Sequence, residues 1–419
     1  MTPYFRSNPK ILKNTLYFFL LFVIIAACNA ASNKENSKDD SLQYYPPTPK
    51  EMSKDEFRSY YRVVSNFFDS GLLRSGFNGG ILIAKNGNII YEKYQGKADL
   101  RDDDSITKET PFHIASTSKT FTATAILRLY QEHKLSLDDS LTKYFPGFPY
   151  EGITLKLLLS HRSGLPNYLY FMSNSDWDKS VYVTNQDVLN FMIREKPQRY
   201  YAPNQRFDYC NTNYLLLALI IEKVTGMSYP AYMQQKFFGP LHMEHSFVFT
   251  PNDSARATPS FTARNTYWNN DFLDHTYGDK NIYATPEDLL KWDQSFYTNQ
   301  VLDTQLMKAA FTPYSFEKPS IHNYGYGWRL LLLPNGKKVI YHFGKWHGFN
   351  SAFARLTDEK ATIIILGNKF NRNIYRAAHT CYDIFGAYLQ TTPGDEDDAN
   401  ESEAPATKHT PEAAKTKKK

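Results

Sequence analysis

A β-hairpin signal stands near each end of this chain, and helical periodicity fills the stretch between them. Residues 80–84 and 88–92 are strand-like and flank Asn86-Gly87, a dipeptide that accepts the positive φ angles of a tight two-residue turn. Residues 352–356 and 362–366 flank Thr357-Asp358-Glu359-Lys360 and read as a second hairpin. In the middle, 117–132, 187–193, 214–224 and 286–296 space their apolar residues as amphipathic helices do. Gly226 follows the third of these as a C-terminal cap, and Thr285-Pro286 opens the fourth with an N-cap and a proline at N1. Strands at both ends and helices inside predict an α+β fold. Its antiparallel sheet, flanked by helices, is drawn from 55–115 and 280–390, with a mostly helical region over 116–279 inserted between.

The two ends of the chain are of a different character. Arg6, Lys10 and Lys13 precede an apolar run over 16–25, and Ile25-Ala26-Ala27-Cys28 then supplies small residues before a cysteine. Basic, apolar and small stretches in that order make an export signal, and this one resembles a bacterial lipoprotein signal over 1–28. Cys28 would then be lipidated and become the mature N-terminus, holding the body at a membrane by its acyl chains, facing the periplasm or the cell exterior. The apolar run is shorter than the roughly 20 residues that span a bilayer. Residues 29–54, rich in Lys, Asp, Ser and Asn and carrying Pro46-Pro47-Thr48-Pro49, read as a disordered tether. Residues 391–419, with Asp395-Glu396-Asp397-Asp398 and a closing Lys417-Lys418-Lys419, read as a disordered tail.

A net charge of +5 over 419 residues, with basic and acidic residues mixed, excludes nucleic acid as a partner. The cysteines, Cys28, Cys210 and Cys381, are too scattered for a disulfide framework or a C-x-x-C metal site. His161 and His347 have no helical His-x-x-x-His spacing and no carboxylate cluster beside them in sequence, so they read as structural histidines rather than metal ligands.

The stretch Phe112-His113-Ile114-Ala115-Ser116-Thr117-Ser118-Lys119 carries the chemistry. On a helix, Ser116 and Lys119 are three residues apart and share a face. A serine hydroxyl is a weak nucleophile until a neighbouring base accepts its proton, and a lysine becomes such a base when desolvation or a nearby cation favours its neutral form. A serine at a helix entrance also meets unpaired backbone N–H groups that favour a tetrahedral oxyanion. Ser-x-x-Lys alone is a common spacing, and further segments supply the context. These are Leu157-Leu158-Leu159-Ser160-His161-Arg162-Ser163-Gly164-Leu165-Pro166, Tyr209-Cys210-Asn211, Tyr283-Ala284-Thr285-Pro286-Glu287-Asp288-Leu289, Tyr324-Gly325-Tyr326-Gly327-Trp328 and His342-Phe343-Gly344.

In this order, over 55–390, these segments resemble the class C β-lactamase-related family of penicillin-recognising serine hydrolases, which includes D-Ala-D-Ala carboxypeptidases, D-aminopeptidases and certain esterases. The resemblance implies a β-lactamase/transpeptidase-like fold and a covalent acyl-serine mechanism. Ser116 would be the nucleophile, and Lys119 and Tyr209 would share the base and acid roles, in an order no motif decides. The N–H groups of Ser116 and Lys345 would form the oxyanion hole. Asn211 would hold Lys119 and the substrate, and His342 and Gly344 would line the cleft. The implied substrate is a small molecule or peptide, such as a D-amino-acid peptide, a peptidoglycan fragment or an ester, with no metal and no organic cofactor. The alternative is a lipoprotein that keeps the pocket as a ligand-binding site without turnover.

On the residues alone, Tyr209 also reads as an ordinary buried tyrosine and Asn211 as the N-cap of the next helix. Cys210 lies between them and reads as a buried thiol rather than a second nucleophile. Two departures from the family pattern stand out. His342 occupies the place of a strand lysine, which favours peptidase or esterase chemistry over β-lactam hydrolysis, although the side chain of Lys345 offers a cation nearby. Pro203-Asn204-Gln205 lacks the glycine that the family often has after the proline.

Overall fold

Residues 50–389 are described by a computed structural model; Cys28, most of the 29–54 tether and the 391–419 tail lie outside them. The described chain opens with a helix, α1 (Lys54–Ser70), capped by the Ser53 side chain, which accepts from the Glu56 N–H. The sequence reading gave 55–115 to sheet. Only Val64 and Phe68 of α1 are buried, and its five aromatic residues blur the helical period, since aromatic side chains also favour strands.

Two strands follow, β1 (Gly79–Lys85) and β2 (Asn88–Gln95), joined at Asn86 (φ 51) and Gly87 (φ 74) as the dipeptide requires. After the two-residue β3 (Phe112–His113) come α2 (Ser118–Gln131), α3 (Asn185–Glu195) and α4 (Asn211–Thr225). Gly226 ends α4 in the left-handed conformation, φ 68. Strand β4 (Phe247–Val248) lies in the region expected to be mostly helical, and two residues are too few to show a period. It joins β3 and β5 (Ile282–Ala284) in a small antiparallel sheet. Helix α5 (Pro286–Ser295) begins at the Thr285 cap, and β6 (His322–Tyr324), β7 (Arg329–Leu332), β8 (Lys338–Trp346), β9 (Phe349–Leu356), β10 (Ala361–Gly367) and α6 (Asn373–Cys381) follow.

The main sheet is antiparallel throughout, in the order β2-β1-β10-β9-β8-β7-β6. Its two sequence halves meet where β1 pairs β10, Ile81 opposite Ile365 and Ile83 opposite Ile363. Side chains alternate across a strand. Ile81, Ile83, Ala352, Ala354, Ile363 and Ile365 face a core shared with α1 and α6, while Leu82, Ala84, Phe353, Ile364 and Leu366 face the core of the helical region. Both faces are covered, so β1, β9 and β10 are buried along their whole length.

Strand β7 ends its pairing at Arg329 opposite Tyr341. The edge of β8 from His342 to Trp346 therefore has β9 on one side only, and this open edge faces the Ser116 segment.

Candidate active site

Ser116 sits in a single tight turn, Ala115–Thr117, immediately before α2. Ala115 takes φ 47, a left-handed conformation costing a non-glycine residue about 1–2 kcal/mol. Hydrogen bonds from several elements hold it there. The Ala115 N–H donates to His113 Nδ1 at 3.1 Å, and Ser351 Oγ donates to the Ile114 carbonyl at 2.7 Å. Thr117 Oγ1 donates to the His342 carbonyl at 3.1 Å. The turn is thereby pinned to β8 and β9.

Lys119 is fully buried, one helical turn on from Ser116. Its Nζ donates to Ser116 Oγ at 3.0 Å, to Asn211 Oδ1 at 2.7 Å and to the Asp279 carbonyl at 2.8 Å. Three partners thereby fix the position of the amine against the serine oxygen. Ser116 is 6% exposed and Asn211 4%. The N-cap of α4 is Cys210, not Asn211, and Cys210 makes no side-chain capping bond. The Asn211 side chain is thus committed to Lys119.

Tyr209 stands with its ring 5.0 Å from Lys119 Nζ and 5.0 Å from the guanidinium of Arg329. Its hydroxyl is buried and makes no hydrogen bond among the described residues, which leaves it able to serve a substrate. The second cation was not foreseen. Arg329 opens β7 directly after Tyr324-Gly325-Tyr326-Gly327-Trp328, and no spacing rule ties it to Tyr209. It places a second positive charge beside the Tyr209 ring. Lys345 does not, because it lies on the opposite face of β8 from Gly344, with its Nζ over the Phe370 ring at 5.5 Å.

His342 is fully buried. Its Nε2 meets Tyr324 Oη at 3.1 Å, and its ring centroid lies 6.3 Å from that of Tyr209. It braces the tyrosine from behind, where the sequence reading had it lining the cleft. Gly344 is required by space: a Cβ there would stand 2.5 Å from the Ile114 carbonyl oxygen and 2.8 Å from the Ser116 nitrogen. Gly344→Ala is therefore expected to displace the Ser116 turn and lower kcat about 100-fold, with an unchanged circular dichroism spectrum, since displacements near 1 Å carry such losses.

Burial pushes the Cys210 thiol up to about 12, so it is no nucleophile at neutral pH. Asn204, at the place of the missing glycine, adopts φ 62. Asparagine tolerates that conformation better than other side chains, so the backbone turn survives the change.

Two buried histidines are held neutral. Burial lowers His113 to about 3 and, with the Lys119 charge next in effect, holds His161 well below the ordinary histidine range. His161 Nδ1 accepts the Cys210 N–H at 3.1 Å. A depressed histidine binds its proton more readily unfolded, so folding stability is lost as pH falls below about 6.5, by up to about 1.4 kcal/mol per pH unit for each ring. Urea midpoints measured from pH 7 to pH 5 are expected to fall accordingly.

His347 was read as having no carboxylates beside it. In the fold it meets Asp274, Nε2 to Oδ1 at 2.9 Å, with Asp271 close by. The two aspartates lie more than 70 residues away in sequence, which hides the cluster from any local motif.

The profile of the Beta-lactamase family matches residues 67–383. Penicillin-binding protein 4* of Bacillus subtilis (strain 168) is 31% identical over 321 residues, covering 72% of this chain and 70% of that protein. Protein flp of Staphylococcus aureus (strain N315) is 30% identical over 308 residues, and the chain spans 59% of its length and 69% of its own. Teichoic acid D-alanine hydrolase of Staphylococcus aureus is 26% identical over 336 residues, 77% of each chain. Among solved structures, a penicillin binding protein from Bacillus halodurans superimposes with a TM-score of 0.69 at 22% identity, covering 77% of this chain and 99% of that one, a likeness of fold.

Proposed function

Since this chain belongs to the Beta-lactamase family, we propose that it is an acyl-serine hydrolase acting on D-amino-acid peptides, peptidoglycan fragments or esters outside the cytoplasm. The observation that carries the reading is the 3.0 Å contact between Lys119 Nζ and Ser116 Oγ, with Asn211 and the Asp279 carbonyl fixing the amine. Ser116 Oγ bonds to the acyl carbon while its proton passes to Lys119 or Tyr209. The resulting oxyanion is held by the Ser116 and Lys345 N–H groups. As the bond to the leaving group breaks, that group takes the proton, and water then cleaves the acyl ester.

One feature sets D-amino-acid amides and esters ahead of β-lactams: the strand position that would pair with a β-lactam carboxylate holds a buried His342. A relative whose name gives D-alanine hydrolysis from teichoic acid supports the same direction. Attachment to a membrane through lipid on Cys28 belongs to this proposal and rests on the N-terminal signal. No helix among the described residues is long and apolar enough to cross a membrane.

Incubating the protein with a fluorophosphonate probe and mapping the adduct by mass spectrometry tests the reading. A single label on Ser116 is expected. A folded protein that stays unlabelled, or is labelled elsewhere, would sink it.

A further inference from the structure

The hydrogen bond that the left-handed Ala115 makes is the last of three in a chain, and each fixes the direction of the next. The chain starts at the Asp274 carbonyl, which can only accept. Asn281 Nδ2 donates to it at 2.6 Å, so the Asn281 amide has one orientation and turns Oδ1 toward His113. His113 Nε2 stands 3.0 Å from that oxygen. An amide oxygen also only accepts, so the one proton of the neutral imidazole lies on Nε2. That leaves the Nδ1 lone pair for the Ala115 N–H, 3.1 Å away. With a proton on Nδ1, two donors would face each other at the turn that carries Ser116.

Packing holds each member of the chain. His113 and Asn281 are 2% and 3% exposed. The imidazole stacks on Phe349, ring centroids 5.3 Å apart, and lies edge to face with Tyr283 at 5.1 Å. Asn281 takes φ 77, a left-handed backbone that asparagine tolerates, and its carbonyl accepts the Phe249 N–H at 2.8 Å.

The same short segment holds the other reactive group. Two residues before Asn281, the Asp279 carbonyl accepts from Lys119 Nζ at 2.8 Å. One residue after it, the Ile282 N–H donates to Ser118 Oγ at 3.2 Å, and the Ile282 carbonyl accepts the Ile114 N–H at 2.9 Å. Residues 279–282 thus grip the nucleophile segment on both sides of Ser116. The 3.0 Å separation of Lys119 Nζ from Ser116 Oγ is set from one place in the fold.

We propose that His113 is a positioning residue for the nucleophile: its Nδ1 acceptor holds the Ser116 turn in register with Lys119, and Asn281 sets the tautomer that makes this possible. The proposal rests on the acyl-serine reading and adds to it a side chain that acts through the Ala115 backbone.

Three substitutions separate the two ends of the ring. His113→Asn keeps an acceptor oxygen where the imidazole has Nδ1 and drops the bond to Asn281. His113→Gln reaches the Nε2 position with an amide N–H and drops the bond to Ala115. His113→Leu drops both. Stopped-flow acylation by N-acetyl-D-alanine p-nitrophenyl ester gives the acylation rate constant and the substrate dissociation constant separately. His113→Leu and His113→Gln are expected to acylate about 100-fold more slowly, with the dissociation constant within about twofold of wild type, because a shift near 1 Å in the nucleophile costs rate and not binding. His113→Asn should acylate at least about tenfold faster than His113→Gln. Equal rates in the Asn and Gln variants, a Leu variant within about threefold of wild type, or losses carried by the dissociation constant would overturn the proposal. If His113→Leu shows no urea unfolding transition, the order of the other two variants decides. If the wild type neither cleaves the ester nor takes a label at Ser116, the acyl-serine reading has failed. Hydrogen exchange at the Ala115 amide then decides the role of His113: slow exchange in the wild type and His113→Asn with faster exchange in His113→Gln supports it, and equal rates in all three overturn it.

Discussion

Ser116→Ala and Lys119→Met are each expected to lower kcat on an ester substrate by about 10⁴-fold or more while the protein stays folded. Ser116 makes its hydroxyl bond to Lys119 alone among the described side chains, and alanine leaves no cavity of consequence in so small a site. Lys119→Met keeps the length of the side chain and removes the amine, stranding Asn211 Oδ1 and the Asp279 carbonyl without their donor. The two losses should not add: the double variant is expected to be about as slow as either single one, because the residues act as one unit. Pre-steady-state acylation kinetics on the four proteins check this. A Lys119→Met protein retaining more than about a tenth of wild-type kcat would show that the amine is not part of the proton path.

The second large effect is on stability. Arg355 on β9 and Asp293 on α5 are both fully buried and ion-paired through Arg355 Nε. Thr362 Oγ1 on β10 donates to the other Asp293 oxygen at 2.7 Å. The Arg355 guanidinium is also enclosed by aromatic rings, 4.9 Å from Phe296 and 5.4 Å from Phe311. Asp293→Ala leaves that charge in the core without its carboxylate, and the expected cost is about 3–5 kcal/mol. Urea unfolding measures it. Replacing both partners, as Arg355→Met with Asp293→Leu, is expected to recover most of the loss. If Asp293→Ala costs under about 1 kcal/mol, water reaches the guanidinium and the pair does not hold the sheet to the helix.

Much of this molecule was legible in the residues, and the limits follow from physics. The Asn86-Gly87 hairpin, the Gly226 end of α4 and the Thr285-capped start of α5 are local events, written in adjacent residues. The contact of Ser116 with Lys119 is local as well, one turn of backbone. Asn211 was placed by motif, but its commitment to Lys119 over the role of helix cap emerged only from the fold. What escaped is non-local. Arg329 reaches Tyr209 because β7 stops where it does against β8, and no sequence interval encodes that stop. Asp274 reaches His347 across the end of β8 for a similar reason. His342 was singled out by motif, yet whether a strand residue meets solvent or a neighbouring ring depends on what packs over it, here Tyr324. Helix α1 was hidden by its aromatic residues, and β4 by its two-residue length.

The pairing of β1 with β10 has a consequence in time. The centre of the main sheet cannot close until residues 361–367 have been synthesised, because the strand that abuts the first hairpin is the last strand among the described residues. Contacts of such wide sequence separation form slowly. A nascent polypeptide of this design therefore leaves the middle of its main sheet open while the whole helical region is already outside the ribosome, and β1 and β2 wait on a partner made about 270 residues later.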